Sequence, residues 1–200
     1  GLAPSPDMSA EEIDQLKARA DAALNNITFT LSYEDAARDC DLVIEAIAEN
    51  PDEKIAFYTE LAKHLPEKTI IATNSSTMLP SAFAQYTGRP EKYLALHFAN
   101  EIWRNNTAEV MGHPETSKDE VFTFAQAISM IPLELHKEQP GYILNSLLVP
   151  FLSAAEELLA TGVADCETID KTWMLATGAP LGPFRILDIV GLTTAYNIGI

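Results

Sequence analysis

The sequence predicts an α/β domain with a mostly parallel sheet, followed by a domain made of helices alone. Short apolar runs rich in β-branched residues alternate with helical stretches as far as Leu135, which is typical of strands joined by crossover helices. From Pro140 onwards helical spacing continues and no clear strand signal is present. We therefore expect a domain boundary near residue 139, with one domain over residues 1–138 and a second over residues 139–200.

Six strands are expected in the first domain. The Ile27–Leu31 run alternates apolar and polar side chains, whereas Asp41–Ala46 is almost continuously apolar and is typical of a buried parallel strand. The other predicted strands are Thr69–Thr73, Tyr93–Leu96, Ala108–Met111 and Leu133–Leu135. Helices are expected where apolar residues recur every three or four positions, in Ile13–Leu24, Ile55–Ala62 and Val121–Ile128.

The second domain is expected to begin with a long apolar helix from about Tyr142 to Leu159. Pro150 should kink this helix, because proline lacks the backbone N–H that the helix needs. Gly162 is expected to end it, and Asp165 is expected to cap the helix that follows. These signals predict an all-helical domain.

The acidic composition limits the possible partners. The 200 residues carry a formal net charge of −16, and binding to nucleic-acid phosphates needs clustered Lys and Arg, so no nucleic acid is expected. The apolar runs are shorter than the ~18 residues of a membrane helix. Cys40 and Cys166 lie far apart without metal-ligand spacing. We therefore expect a reduced cytoplasmic setting, with no disulfide and no metal site.

Polar side chains occur where three of the predicted strands end. Asn74–Thr77 follows the Thr69 run, His97 follows the Tyr93 run, and Glu109 lies within an apolar tetrapeptide. Ligands of open α/β sheets bind at the carboxyl ends of strands. Histidine titrates near neutral pH and suits acid–base catalysis, and a carboxylate on its second nitrogen would fix its tautomer. The residues alone favour a structural histidine and an ordinary polar turn over a catalytic site.

Five motifs in order make the chain similar to the 3-hydroxyacyl-CoA dehydrogenase family, and within it to 3-hydroxybutyryl-CoA dehydrogenases. They are Asn74-Ser75-Ser76, His97-Phe98-x-Asn100, Glu109-Val110, Pro140-Gly141-Tyr142-Ile143-Leu144-Asn145 and Gly182-Pro183-Phe184. The resemblance extends from about Ile27 to the last residue. It implies a Rossmann-type NAD-binding domain, truncated at its start, and the family's helical C-terminal domain, truncated at its end.

The resemblance also implies an activity and roles for single residues. The activity is NAD-dependent oxidation of (3S)-3-hydroxyacyl-CoA to 3-oxoacyl-CoA, a reaction of fatty acid metabolism. His97 would be the general base, Glu109 its orienting acid, and Ser76 and Asn145 the other active-site residues. The positions that match dinucleotide contacts of the family are Glu49, Lys54, Ser76 and Asn100. Without the resemblance, Lys54 would be interpreted as a solvated helix residue.

The chain departs from the family pattern between His97 and Glu109. Phe98-Ala99-Asn100-Glu101 stands where the family usually has Phe-Phe-Asn-Pro, and the polar segment 102–108, with Trp103 and Arg104, replaces an apolar stretch. A polar loop favours a short, polar or carboxylate-bearing substrate over a long acyl chain. A free or non-CoA 3-hydroxy acid is therefore an alternative substrate.

The glycine-rich phosphate-binding turn of a dinucleotide fold is missing from the sequence, since none of the nine glycines forms a G-x-G pair. We expect that turn to belong to a preceding segment, and the 200 residues alone to be inactive and to bind NAD poorly, because a helix N-terminus normally holds the pyrophosphate. A non-catalytic relative is the other interpretation of this absence. A homodimer that acts on a small molecule, without a membrane partner, is expected.

Overall fold

The chain folds into two compact units, residues 1–140 and residues 141–200. The computed structural model describes residues 7–114 and 116–197. Within these described residues, all strands lie in the first unit, and the second unit contains helices. The predicted fold class, an α/β domain followed by a helical one, is confirmed.

A five-stranded mixed sheet forms the centre of the first unit. Its strands lie side by side in sequence order, and they are β1 (Leu42–Glu45), β2 (Ile70–Thr73), β3 (Tyr93–Phe98), β4 (Thr107–Met111) and β5 (Ile131–Leu135). The first three strands are parallel, β4 runs antiparallel to β3, and β5 is parallel to β4. The reversal at β4 places its residues directly opposite those at the end of β3.

Helices cover both faces of this sheet. The helices of the first unit are α1 (Ala10–Asn25), α2 (Tyr33–Ala37), α3 (Pro51–Leu61), α4 (Pro80–Phe83) and α5 (Asp119–Ala127). One apolar cluster joins α3 and α4 to the sheet through Tyr58, Phe83 and Tyr93. On α5, Val121 packs with Val110 in a second cluster. Burial on both faces explains why the β2 run is continuously apolar instead of alternating. The equally apolar β1 run is less buried, since β1 lies at the edge of the sheet and Ile44 is 39% exposed.

The strand predicted at Ile27–Leu31 is wrong, since these residues form no strand. Phe29 is 84% exposed and Leu31 is fully exposed. In the sheet of the described residues β1 is an edge strand, and Ile27–Leu31 does not pair with its open side, so the segment has no ladder partner. An extended segment without partners gains little over hydration by water, which is why an alternating pattern alone does not produce a strand.

Four helices of the second unit lie in the described residues. They are α6 (Leu144–Ala160), α7 (Cys166–Thr177), α8 (Pro183–Val190) and α9 (Leu192–Asn197). The long predicted helix corresponds to α6, which begins two residues later than expected and contains Pro150. Gly162 adopts a left-handed φ of 74° after its end, and the Asp165 side chain caps α7 as predicted. Among the described helices, none has the length and apolar character needed to cross a membrane.

The Gly182-Pro183-Phe184 motif has a structural role in the second unit. Asp170 on α7 is nearly buried, and its carboxylate accepts hydrogen bonds from the backbone N–H groups of Phe184 and Arg185. This carboxylate therefore caps the amino end of α8. A Cβ atom at Gly182 would lie only 2.4 Å from the Asp170 carboxyl group, so the motif requires glycine at this position.

Candidate active site

His97 and Glu109 form a buried pair on one face of the sheet. The two residues lie directly opposite each other in the antiparallel β3–β4 register, and each is 5% exposed. Because directly opposed residues project from the same face, this register brings their side chains together. His97 Nδ1 lies 3.0 Å from Glu109 Oε2. The pair suggested by a spacing of twelve residues is thus a real contact.

The second ring nitrogen of His97 faces a serine hydroxyl. Ser76 lies in the turn after β2, and its Oγ is 3.3 Å from His97 Nε2. If Nδ1 carries the proton that Glu109 accepts, Nε2 of the neutral ring has its lone pair on the Ser76 side. This ring state can accept a proton at Nε2, while the carboxylate stabilises the resulting positive charge.

The serine turn is held by Glu49, which precedes α3. One carboxylate oxygen of Glu49 accepts from the Ser76 backbone N–H at 2.9 Å, and the other accepts from Ser75 Oγ at 2.8 Å. The Ser75 hydroxyl in turn accepts from the Met78 backbone N–H. Glu49 therefore connects the end of β1 to the turn that carries Ser76.

Asn74 links the ends of three strands, although it was not among the predicted site residues. Its backbone N–H donates to the Glu45 carbonyl on β1 at 2.8 Å. Its side-chain Oδ1 accepts from the backbone N–H of Phe98, the residue after His97, at 3.0 Å. The signal that could have identified it is an asparagine immediately after a buried strand, since its amide can replace a lost ladder partner.

Lys54 is not the solvated helix residue that its sequence context indicates. It is 1% exposed, and its Nζ lies 2.7 Å from Glu45 Oε1. The interpretation as a surface lysine is wrong because Lys54 faces the sheet from α3, where a buried carboxylate compensates its charge. The structure thus brings Lys54 to Glu45, while His97, Glu109, Ser76 and Glu49 form the neighbouring cluster.

Glu45 is a buried acid that the sequence analysis missed. Its carboxylate accepts from Lys54 Nζ, Tyr58 OH, Thr73 Oγ1 and Ile47 N at 2.5–2.8 Å. Burial alone would raise the pKa of Glu45, but the hydrogen bonds, led by that from Lys54, lower it below its ordinary value. Burial also raises the pKa of the Tyr58 phenol. The signal that could have identified Glu45 in the sequence is an acidic residue inside a continuous apolar strand.

The two remaining predicted residues belong to different units. Asn100 is exposed beyond β3, and its backbone carbonyl accepts from the Asn105 side chain at 2.8 Å. Asn145 belongs to the second unit, where its backbone N–H donates to the Gly141 carbonyl in the first turn of α6. In the described parts of the chain, no group of His, Cys, Asp and Glu side chains is arranged to hold a metal ion.

A mostly parallel sheet with a buried acid–base pair on two neighbouring strands is compatible with the class of dinucleotide-dependent oxidoreductases. Comparison with known proteins identifies the family within this class. Residues 6–138 match the 3-hydroxyacyl-CoA dehydrogenase NAD binding domain, and residues 141–199 match the C-terminal domain of that family. The chain therefore belongs to the 3-hydroxyacyl-CoA dehydrogenase family. The predicted family is confirmed, with NAD as the cofactor of its N-terminal domain.

Individual relatives show how the chain compares within this family. The 3-hydroxybutyryl-CoA dehydrogenase of Clostridioides difficile is 34% identical over 92% of this chain and 66% of its own length. The human mitochondrial hydroxyacyl-coenzyme A dehydrogenase is 36% identical over 92% of this chain and 60% of its own length. The chain thus spans less than two thirds of both relatives.

A solved structure is more similar in sequence. It is a diketoreductase, described as performing substrate-directed dual catalysis of dicarbonyl compounds. Its sequence is 52% identical, its TM-score to this chain is 0.86, and the match covers 96% of this chain and 76% of that one.

Proposed function

We propose that the protein catalyses NAD-dependent oxidation of a short-chain (3S)-3-hydroxyacyl-CoA to the 3-oxoacyl-CoA. The observation that carries the proposal is the buried contact of His97 with Glu109 at 3.0 Å, with the other ring nitrogen directed at Ser76. Membership of the 3-hydroxyacyl-CoA dehydrogenase family supports the same reaction. When bound, NAD supplies the acceptor for the hydride that leaves the substrate carbon.

The roles of the residues follow from the atoms that they present. His97 Nε2 takes the proton of the substrate hydroxyl, and in the reverse direction it returns the proton to the ketone oxygen. Glu109 holds the Nδ1 proton and stabilises the imidazolium. The Ser76 hydroxyl, 3.3 Å from Nε2, orients the substrate oxygen. The family resemblance adds Asn145 as a further active-site amide.

The residues present fit part of a dinucleotide. We propose residues 1–138 as the NAD-binding domain and residues 139–200 as the helical dehydrogenase domain. Glu49, Ser76 and Asn100 offer carboxylate, hydroxyl and amide groups beyond the strand ends, where ligands of this fold lie. Lys54 has weaker support as a cofactor contact, because its ammonium is already paired with Glu45.

A second candidate substrate is a free dicarbonyl compound or free 3-hydroxy acid, without coenzyme A. The 52% identity to a diketoreductase favours it. So does the polar β3–β4 loop, in which Trp103 is 63% exposed and the Arg104 guanidinium lies 3.6 Å from Glu101. An exposed guanidinium suits a carboxylate better than it suits an alkyl chain.

The experiment is turnover by the full-length protein, followed as NADH absorbance, on 3-hydroxyacyl-CoAs, the corresponding free acids and dicarbonyl compounds. The first candidate predicts the highest kcat/KM with 3-hydroxybutyryl-CoA, and His97→Gln should abolish that turnover. Turnover of dicarbonyl compounds or free acids alone would instead establish the second candidate. Absence of NAD-linked turnover with every compound would overturn both.

We also propose a cytoplasmic homodimer that acts in fatty acid metabolism. Its support is the pair of separated free cysteines and the exposed apolar side chains of the second unit, including Leu147 at 70%, Leu175 at 80% and Leu192 at 69% exposure. Light scattering of the full-length protein tests the dimer, and a monomer at micromolar concentration would contradict it.

A further inference from the structure

A second buried cluster lies beside the acid–base pair, and the proposed chemistry leaves it without a role. Glu45, the last residue of β1, is 2% exposed, and its carboxylate accepts four hydrogen bonds. Such complete satisfaction of a buried carboxylate makes it a rigid point in the structure. The groups attached to it show what it holds in place.

Thr73 is the side chain that connects Glu45 to the serine turn. It is the last residue of β2 and lies opposite Glu45 in the parallel register. Its Oγ1 donates to Glu45 Oε2 at 2.8 Å and accepts from the Ser75 backbone N–H at 3.1 Å. One hydroxyl therefore uses both its donor and its acceptor capacity between a buried carboxylate and the residue next to Ser76.

Glu45 also holds the turn through its backbone and through the segment that follows β1. Its carbonyl accepts from Asn74, whose side chain in turn holds the N–H of the residue after His97. Its Oε1 accepts from Ile47 N at 2.7 Å, at the start of the segment that leads to Glu49. The positions of Ser76 and His97 thus depend on contacts that begin at Glu45.

We propose that Glu45 and Thr73 are positioning residues that fix the Ser76 hydroxyl against His97 Nε2. Neither touches a reacting atom, so neither is catalytic. Their effect on rate rests on the proposed function, because misplacement by about 1 Å of a group that orients the substrate can cost ~10²-fold in turnover. Their effect on the His97 environment does not depend on which substrate is used.

The test compares two buried threonines near opposite ends of β2 in the full-length protein. Thr73→Val removes the hydroxyl that links Glu45 to Ser75. Thr69→Val is the matched control, because Thr69 is also fully buried and its Oγ1 donates to the Cys40 carbonyl at 2.5 Å, before β2 begins. Thr73→Ser is the conservative variant that keeps the hydroxyl.

Thr73→Val should lower kcat by roughly 10- to 100-fold with little change in KM, whereas Thr73→Ser and Thr69→Val should stay within about threefold of wild type. Melting temperatures of both valine variants are measured as well. Simple destabilisation should lower the melting temperature of both variants, whereas the fall in kcat should occur only in Thr73→Val. Equal kcat values for Thr73→Val and Thr69→Val, whether both normal or both reduced, would overturn the proposal.

A second readout is independent of turnover. The imidazole nitrogen resonances of His97 can be assigned by NMR from their loss in His97→Gln. Thr73→Val should shift the His97 ring resonances, and Thr69→Val should not. If the wild type turned over none of the substrates, the proposed function would fail, yet this spectrum would still decide the positioning role. Unchanged His97 resonances in Thr73→Val would overturn it.

Discussion

Two buried acid–base pairs lie on the same sheet, Glu45 with Lys54 and Glu109 with His97. They differ in whether the basic residue has a nitrogen directed at a group outside the pair. Glu45 is paired with Lys54, and donors from four different residues satisfy its carboxylate. Glu109 is paired with His97, whose second nitrogen faces the Ser76 hydroxyl at 3.3 Å. The Glu45–Lys54 pair makes its contacts within the buried cluster, whereas the His97–Glu109 pair leaves His97 Nε2 directed towards the turn that carries Ser76.

This difference indicates that the Glu45–Lys54 pair has a structural role and the His97–Glu109 pair a chemical one. The Glu45–Lys54 contact is a buried ion pair whose rupture leaves a buried charge uncompensated. Histidine can gain and lose a proton near neutral pH, so the His97–Glu109 pair can serve a reaction. Loss of the first pair should therefore impair stability, and loss of the second should impair turnover.

The largest expected effect on rate comes from Glu109→Gln in the full-length protein. The amide keeps the shape but no longer stabilises the imidazolium, so kcat should fall by roughly 10²–10⁴ while KM and the melting temperature change little. Steady-state kinetics with NAD and the preferred substrate provide the measurement. Glu134→Gln, a half-exposed acid on β5 paired with Lys118, is the control. Full kcat in Glu109→Gln would remove this residue from the mechanism.

Lys54→Met should have the largest effect on stability. It leaves the buried Glu45 carboxylate without its cation, so the free energy of unfolding should fall by about 3–5 kcal/mol in urea titrations. The double variant Glu45→Gln with Lys54→Met should recover part of that loss, because no buried charge is left unpaired. Lys68→Met is the control, since the exposed Lys68 contacts Asp39 and Asp41 at the surface. Equal stability of the two single variants would contradict the prediction.

The pH dependence of stability should show the lowered pKa of Glu45. A carboxyl group with a lower pKa in the folded state stabilises the fold at pH values above its unfolded pKa of about 4.3. This contribution is lost as the pH falls from there through the folded-state pKa. Below about pH 4.3, unfolding midpoints of the wild type should therefore fall more steeply than those of the double variant. Parallel curves would show that Glu45 is not the group responsible.

The smallest expected effect concerns the segment that connects β3 to β4, residues 99–106. An apolar groove would add ~0.8 kcal/mol per buried CH₂ of the acyl chain, but the segment between β3 and β4 is polar, with Glu101, Arg104, Asn105 and Asn106. Specificity constants should therefore not rise from four-carbon to sixteen-carbon 3-hydroxyacyl-CoAs. A preference for the twelve- or sixteen-carbon substrate would contradict this and would argue for a hidden apolar channel.

Features governed by near neighbours in the chain were predictable from the sequence. Asp165 caps α7, and Gly162 follows the end of α6 with a left-handed backbone, as their positions in the sequence predicted. The continuous apolar runs correctly indicated strands, and the β2 run is buried, whereas Ile44 of the edge strand β1 is 39% exposed. The fold class and the family followed from these signals and from motifs that stand in a fixed order.

Features that depend on partners far along the chain were decided only by the tertiary structure. Ile27–Leu31 has strand-forming composition but no neighbour, and Lys54 has the sequence context of a surface lysine but faces Glu45 across the α3–sheet interface. In both cases the local pattern was correctly identified. The neighbours that decide whether a segment pairs or a side chain is buried come from distant parts of the chain.

The candidate site likewise has features that the sequence predicts and features that only the tertiary structure shows. The sequence by itself determined that an imidazole, a carboxylate and hydroxyls occur at strand ends, because residue types and spacings are local properties. Only the tertiary structure decided that β4 runs antiparallel to β3, which sets Glu109 opposite His97, and that Thr73 lies beside Glu45 in the β1–β2 register. Sheet register arises from hydrogen bonds and packing between distant segments, so no single segment of the sequence encodes it.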